Sequence, residues 1–458
     1  MSRRPGEDQS LIFVICMLLA FAVEPPAIAA TTVTLEREAS EAYQRADYAG
    51  VLRLLPRESS DVPVSTAVLR LALESATKIG RPEEGLQIYE RLVKPGQADD
   101  TALLRQLGVS FLTAYVRDTR EHLRIAAYSA LAELSLPAQQ AVLEDGLLDS
   151  SPIVRARAIE AIAHAGLAGK SPPLRRALRD DSPSVRIAAM NALSEAHVTE
   201  IVPRLTEVAR TEDGPEGVFA YAALYRLGRQ DMLADIAGAA TLPDPETRMA
   251  ALGILGRLKR PSSLNVLSQG VYDPEPSVRA FAAGALGEFG QAAAVAPLTH
   301  ALGDEHARVR AVAAASLGRV GTKDSRPLLQ ALTRDASTQV RASAVEGLLR
   351  LGDQTAVLIA ADLARHSDPS VRAAAAQALS AASDKQALAI LQALLQDQQP
   401  QPRLFAAKAL GKVPLSVLPL VKKGLHDSDP AVRIIAAGSL LHHVGPAAKS
   451  SSHGGRKG

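Results

Sequence analysis

The sequence predicts an all-α solenoid, a stack of about eleven 31-residue helical hairpins, and three observations carry that prediction. An arginine recurs at a fixed interval from Arg124 to Arg433. Alanine stands three residues after it, and leucine or isoleucine seven residues after it, in every repeat, as in Arg279, Ala282 and Leu286. Apolar residues make up 47% of the chain while aromatics make up 3% and tryptophan is absent, so alanine and leucine must fill the core. That composition favours helices over strands. The formal charge of +2 is near balance for 458 residues and points to neither a nucleic-acid nor a membrane partner.

The first element, residues 1–30, reads as a cleavable export signal. Arg3 and Arg4 precede the apolar run "LIFVICMLLAFAV" (11–23), and small residues at Ala27, Ala29 and Ala30 follow. Thirteen helical residues reach about 20 Å, short of a hydrocarbon core of about 30 Å, which favours a cleaved signal over a retained anchor. Gly6 and Glu7 stand where twin-arginine export expects apolar residues, so the general secretory route is expected. The protein is then periplasmic or secreted, without membrane insertion after cleavage. Its single cysteine, Cys16, lies inside the signal behind the large Ile15, which disfavours a lipid anchor. A mature chain without cysteine excludes disulfides, thiolate metal sites and cysteine nucleophiles.

Residues 31–100 do not fit the 31-residue columns. "LESATKIGRPEEGLQIYERLVKP" carries Gly80, Gly85, Tyr89 and Leu92, and "AYQRADYAGVLRLL" is a weaker copy. The small–aromatic–apolar second helix resembles a tetratricopeptide repeat, which implies helix pairs that continue the solenoid and cap its first hairpin.

The repeats proper span 101–445. Arg124, Arg155, Arg186, Gly217, Arg248, Arg279, Arg310, Arg341, Arg372 and Arg403 lie 31 apart, and Arg433 follows after 30. Proline three residues earlier (Pro152, Pro183, Pro245, Pro276, Pro369, Pro430), behind Ser, Asp or Glu, marks the start of the second helix of each hairpin. Val278, Ala282 and Leu286 then form a core stripe, and upstream runs such as 294–302 supply the first helix. Six residues before the arginine an aspartate recurs: Asp118, Asp149, Asp180, Asp273, Asp304, Asp335, Asp397 and Asp427. A half-buried guanidinium suits a carboxylate, so these residues are expected to form a structural ladder along the stack. The competing reading is an arginine row that binds a polyanion; an acid that recurs nearly as often as the base favours architecture. The tail 446–458 is polar, rich in Gly and Ser, and expected to be disordered.

These columns resemble the HEAT repeat, in the short form of phycobilisome-lyase-like HEAT proteins. The resemblance implies a right-handed superhelical solenoid over roughly 101–445. Enzymes of this repeat class offer tests. Deoxyhypusine hydroxylases carry a His-Glu dipeptide just after the arginine column, and none occurs in this chain. Bilin lyases act beside a cytosolic antenna, which an export signal argues against. HEAT-like DNA glycosylases use a basic, aromatic concave face, a poor match to a near-neutral chain without tryptophan. "HAGLAGKS" (164–171) is an inter-repeat linker rather than a phosphate loop, since prolines follow where a helix should run. No column repeats a histidine, and no metal or other cofactor is expected.

The repeat at 199–232 breaks the pattern. Gly217 replaces its arginine, Thr211 its aspartate, and Phe219, Tyr221 and Tyr225 crowd one helix. Two readings stand: a diverged repeat with its rings in the core, or a partner-binding site, because tyrosine is enriched in interface hot spots. The whole points to an exported, monomeric, non-catalytic scaffold that binds another protein along an extended face. An enzyme or enzyme accessory of the lyase or hydroxylase kind is the alternative.

Overall fold

This computed structural model describes residues 26–445 apart from 57–63, 94–96, 323, 383 and 414–416. The apolar run 11–23 and the tail 446–458 therefore lie outside the described residues. Residues 26–30, expected to leave with the signal, begin the helix Pro26–Gln44. Among the described residues every regular element is a helix, and none is long and apolar enough to cross a membrane. The chain forms two bodies, Met1–Ser110 and Phe111–Gly458, divided within the helix Thr101–Tyr115.

In the first body the residues read as tetratricopeptide-like lie on two helices that pack against each other. Thr66–Lys78 and Pro82–Leu92 meet through Leu73, Ala76 and Gly85. A Cβ on Gly85 would sit 3.2 Å from Leu107 and 3.5 Å from Leu73, so glycine sets the closeness of approach. Tyr89 is buried; its hydroxyl donates to Asp99 at 2.9 Å and accepts from the Asp100 amide at 3.1 Å. Burial, followed by the Asp99 hydrogen bond, pushes that phenol upward.

The second body holds the eleven second helices and ten complete hairpins, with only the end of the first hairpin's first helix. Every proline expected at a helix start is the first residue of its helix, as in Pro152–His164, Pro276–Phe289 and Pro430–Val444. Ser151, Asp244, Asp368 and Asp429 cap their helices with side-chain bonds, whereas Ser182 and Glu275 make none. At those two the turn is held from further upstream: Asp180 accepts the Ser182 amide and Asp273 the Glu275 amide, both at 2.9 Å. The column stripe is fully buried at Val278, Ala282 and Leu286.

Second helices of successive repeats pack side by side, while first helices pack mainly on their own partners. The second helices thus line the tight side of the curve. Glycine at the eighth position after the arginine makes the approach close. A Cβ on Gly256 would fall 2.6 Å from the Ala285 carbonyl oxygen, and one on Gly318 would fall 2.3 Å from the Gly347 Cα.

The array closes on itself. The helix Pro430–Val444 of the last repeat packs against Glu121–Ala132 of the first. Arg433 Nη2 donates to the Tyr115 hydroxyl at 2.6 Å, and Lys408 Nζ pairs with Glu133 at 3.0 Å. Gly438 faces Ala130 at contact distance. The course expected of a superhelix is here a single closed turn.

Candidate functional site

Two constellations invite a functional reading: the arginine ladder on one rim and the inner wall of the ring. In the ladder, seven arginine forks reach forward onto the aspartate column of the next repeat. Arg124 grips Asp149, Arg155 grips Asp180, Arg248 grips Asp273, Arg279 grips Asp304, and Arg310 grips Asp335. Arg372 grips Asp397 and Arg403 grips Asp427; all seven are bidentate, at 2.6–3.1 Å. The aspartate six residues upstream serves differently. Its main-chain carbonyl accepts the arginine Nη1 of its own repeat, as Asp149 does from Arg155 at 2.8 Å. Its carboxylate also holds the amide two residues on, at 2.8–2.9 Å in all eight repeats that carry it. One aspartate therefore starts its own helix and clamps the preceding repeat.

The irregular repeat keeps this logic by substitution. Arg186, which finds Thr211 in the aspartate column, forks instead onto Glu216 at 2.7 and 2.5 Å. Glu216 occupies a column where valine stands in seven of the other ten repeats, a buried acid among core positions and the signal that sequence reasoning missed. Gly217 lacks a fork and Leu242 in the next repeat lacks a carboxylate, so both halves of that rung are gone together. A Cβ at Gly217 would fall 2.0 Å from the Glu212 carbonyl oxygen, which explains the glycine. Arg341 faces His366 in the aspartate column and donates to the Asp335 and Ala336 carbonyls. Arg433 closes the series on Tyr115.

The forked side chains are 8–20% exposed, too enclosed for a polyanion to compete. The arginine forks hold the Asp335 and Asp397 carboxyls below the ordinary 3.8. At Asp180 and Asp304 burial acts upward first, and the fork and the amide reverse it. A carboxyl lowered in the folded state stabilises fully above its unfolded value and loses that contribution as pH falls through the lowered one. Melting temperature, followed by circular dichroism, is therefore expected to hold from pH 7 to about 5 and to drop steeply below about 4. A melting point unchanged at about pH 2.5 would count against the ladder.

The inner wall is built from the second helices at positions two, five and nine after the arginine column. Phe219, Phe281 and Phe405 all stand at position two, with Val312 and Ile435 in the same column. Of the seven phenylalanines, Phe13 and Phe21 lie outside the described residues, and Phe111 and Phe289 are buried. Every remaining phenylalanine thus falls on one column of one wall. Phe281 is 44% exposed; Phe219 and Phe405 are half-buried.

Each ring lines its own groove. Phe281 lies over Gly253, whose missing Cβ would collide with it at 2.7 Å, in a groove of about 450 Å³ with Arg257, Arg308 and Arg319. Phe219 shares a groove of about 350 Å³ with Glu160, His164, Asn191, Arg226 and Arg257. Phe405 shares one of about 210 Å³ with Glu346, Arg350, Lys408 and Lys412. Residues two and three repeats apart meet in these grooves, which only the inside of a tight curve allows. Arg226 donates to Asn191 at 3.0 Å and stands 4.0 Å from Glu195; burial draws its guanidinium down, Glu195 opposes and Arg257 adds to the fall.

The three aromatics singled out in the sequence do not form one patch. Phe219 faces the inner wall. Tyr221 and Tyr225 sit two and six residues on, roughly 160° and 120° around the helix, and point elsewhere. Tyr221 is half-buried; Tyr225 is 5% exposed, with the Arg260 guanidinium 5.7 Å from its ring centre. Among the described residues no group of three His, Cys, Asp or Glu is placed to hold a metal ion.

A family profile described as HEAT repeats matches residues 65–163, 141–224, 266–334 and 325–404. The first match begins within the segment that bears the tetratricopeptide-like residues. Comparison with curated protein sequences gives no match. Among solved structures, human deoxyhypusine hydroxylase in complex with glycerol is similar at 20% identity, over 56% of this chain and 99% of that one, with a TM-score of 0.31. The CpcE–CpcF complex of phycocyanin lyase from Nostoc sp. PCC7120 is similar at 19% identity, over 58% and 93%, with a TM-score of 0.35. Kap121p bound to Nup53p is similar at 14% identity, over 92% and 54%, with a TM-score of 0.35.

Proposed function

The chain belongs to the HEAT-repeat family, and on that premise we propose that it is an exported, non-catalytic scaffold that binds another protein on the inner wall of its ring. One observation carries the reading: in a protein so poor in aromatics, the phenylalanines outside the core among the described residues share a single inward column. Core packing does not require them there, since Ala374 and Ser343 fill the same column elsewhere. A half-exposed ring beside a long cation is the kind of anchor that dominates binding energies at interfaces. Export is supported by the basic start and short apolar run before residue 24.

A photo-crosslinking amino acid placed at Phe281, and separately at the outward Leu358, tests this in the native envelope fraction. One protein is expected to crosslink at position 281 and not at 358, and Phe219→Ala with Phe405→Ala should cut its yield about tenfold or more. Equal crosslinking at both positions, or none at 281, would overturn the inner-wall reading.

A further inference from the structure

The charge of the inner wall is divided. Repeats one to three present Glu133, Glu160 and Glu195 with one cation, Arg157, which pairs with Glu160 at 2.7 Å, whereas repeats four to ten present mainly cations. Some of these are satisfied within the ring: Arg319 pairs with Glu288 at 2.8 Å and Arg350 with Glu346 at 2.9 Å. Arg257, Arg308 and Lys412 are exposed and make no ion pair among the described residues. These three are also among the cations that line the phenylalanine grooves. Arg257 lines the grooves of both Phe219 and Phe281, Arg308 that of Phe281, and Lys412 that of Phe405.

The closure limits what can enter. Helices packed through alanine and glycine lie about 8–9 Å apart. Eleven around a closed ring put their axes on a circle roughly 30 Å across, which leaves a bore of about 20 Å once side chains are counted. A folded domain of about 100 residues has a radius of gyration of about 13 Å and is too wide. A single extended or helical segment passes.

We propose that the occupant of the inner wall is a single acidic polypeptide segment. Its carboxylates pair with Arg257, Arg308 and Lys412, and its apolar side chains dock on Phe219, Phe281 and Phe405. This rests on the scaffold reading above and adds the chemistry of the partner. The acids of repeats one to three are already matched within the ring, Glu133 by Lys408, Glu160 by Arg157 and Glu195 by Arg226, so the uncompensated charge of the wall is that of Arg257, Arg308 and Lys412, and one acidic segment lies along the repeats that carry them. A carboxylate that reaches these guanidinium and ammonium groups gains charge-assisted bonds, which salt screens because the cations are exposed.

The test uses the full chain and fluorescence anisotropy with three labelled probes. The first is a peptide of about twelve residues alternating Asp or Glu with Phe or Leu, about 40 Å when extended. The second replaces every acid with Lys, and the third is an oligo-dT strand. The acidic peptide is expected to bind best, to weaken as salt is raised, and to lose about tenfold or more in affinity with Arg257→Ala and with Phe281→Ala. Leu358→Ala should leave it unchanged, and melting curves of each variant confirm that the fold is kept. Tighter binding of the Lys peptide or of oligo-dT, or acidic-peptide binding indifferent to Arg257→Ala, overturns the proposal. If position 281 still crosslinks a protein while the acidic peptide fails, the charge assignment alone falls; if the crosslink is absent too, the scaffold reading falls with it.

Discussion

Gly318→Ala is expected to destabilise the ring by about 3 kcal/mol, whereas Gly284→Ala, a helical glycine one repeat earlier, should be neutral or stabilising by up to about 1 kcal/mol. The contrast follows from what each new methyl meets. At Gly318 it lands 2.3 Å from the Gly347 Cα and 3.0 Å from its carbonyl oxygen, both backbone atoms of the neighbouring second helix. No rotamer change can relieve that, so the helices Ala307–Val320 and Thr338–Arg350 must move apart. In an open solenoid such a shift spreads towards a free end. In a closed ring it is passed round to the seam, where Leu441 stands at the position that glycine holds in the tight interfaces. At Gly284 the methyl meets only Val312 at 3.6 Å, an ordinary contact, and alanine improves the helix. Urea midpoints of the two variants decide the matter; similar midpoints would mean that the second helices are not packed backbone to backbone.

The hairpins were legible because each repeat must solve the same packing problem, and the solution leaves a column. Alanine where helices cross, leucine in the core and proline at the helix start could be read without any structure. Closure could not. The angle between repeats depends on how near two backbones come, and glycine at position eight in some repeats but serine, tyrosine or leucine in others has no fixed local signature. The functional wall was half-visible. Phe219 was noticed, but grouped with Tyr221 and Tyr225 because they are neighbours along the chain. Grouped by column, it belongs with Phe281 and Phe405, which lie 62 and 186 residues further on. Glu216 was legible in the same way, as a charge in a valine column, once the missing aspartate at Thr211 is taken to demand a replacement.

Breaking one rung of the ladder should cost about as much as a core cavity. Asp335→Ala strips Arg310 of both carboxylate bonds, at 2.9 Å each, and removes the acceptor for the Ser337 amide, in a pocket where the carboxylate is only 10% exposed. The guanidinium then keeps its charge without its counter-ion, a situation that costs about 3–5 kcal/mol when one partner of a buried pair is lost. Arg310→Met combined with Asp335→Leu should recover part of that loss, because the penalty lies in the stranded charge rather than in the absent attraction. The adjacent rung gives the reverse test. Arg341 meets His366 where its neighbours meet an aspartate, so His366→Asp is expected to complete the fork and add about 1 kcal/mol. Urea midpoints read all three variants. A loss below about 1 kcal/mol for Asp335→Ala, in the range of solvated surface pairs, would reduce the ladder to a charged rim. A loss near that of a buried pair, with a gain at His366→Asp, would establish the arginine column as the element that sets each repeat on the next.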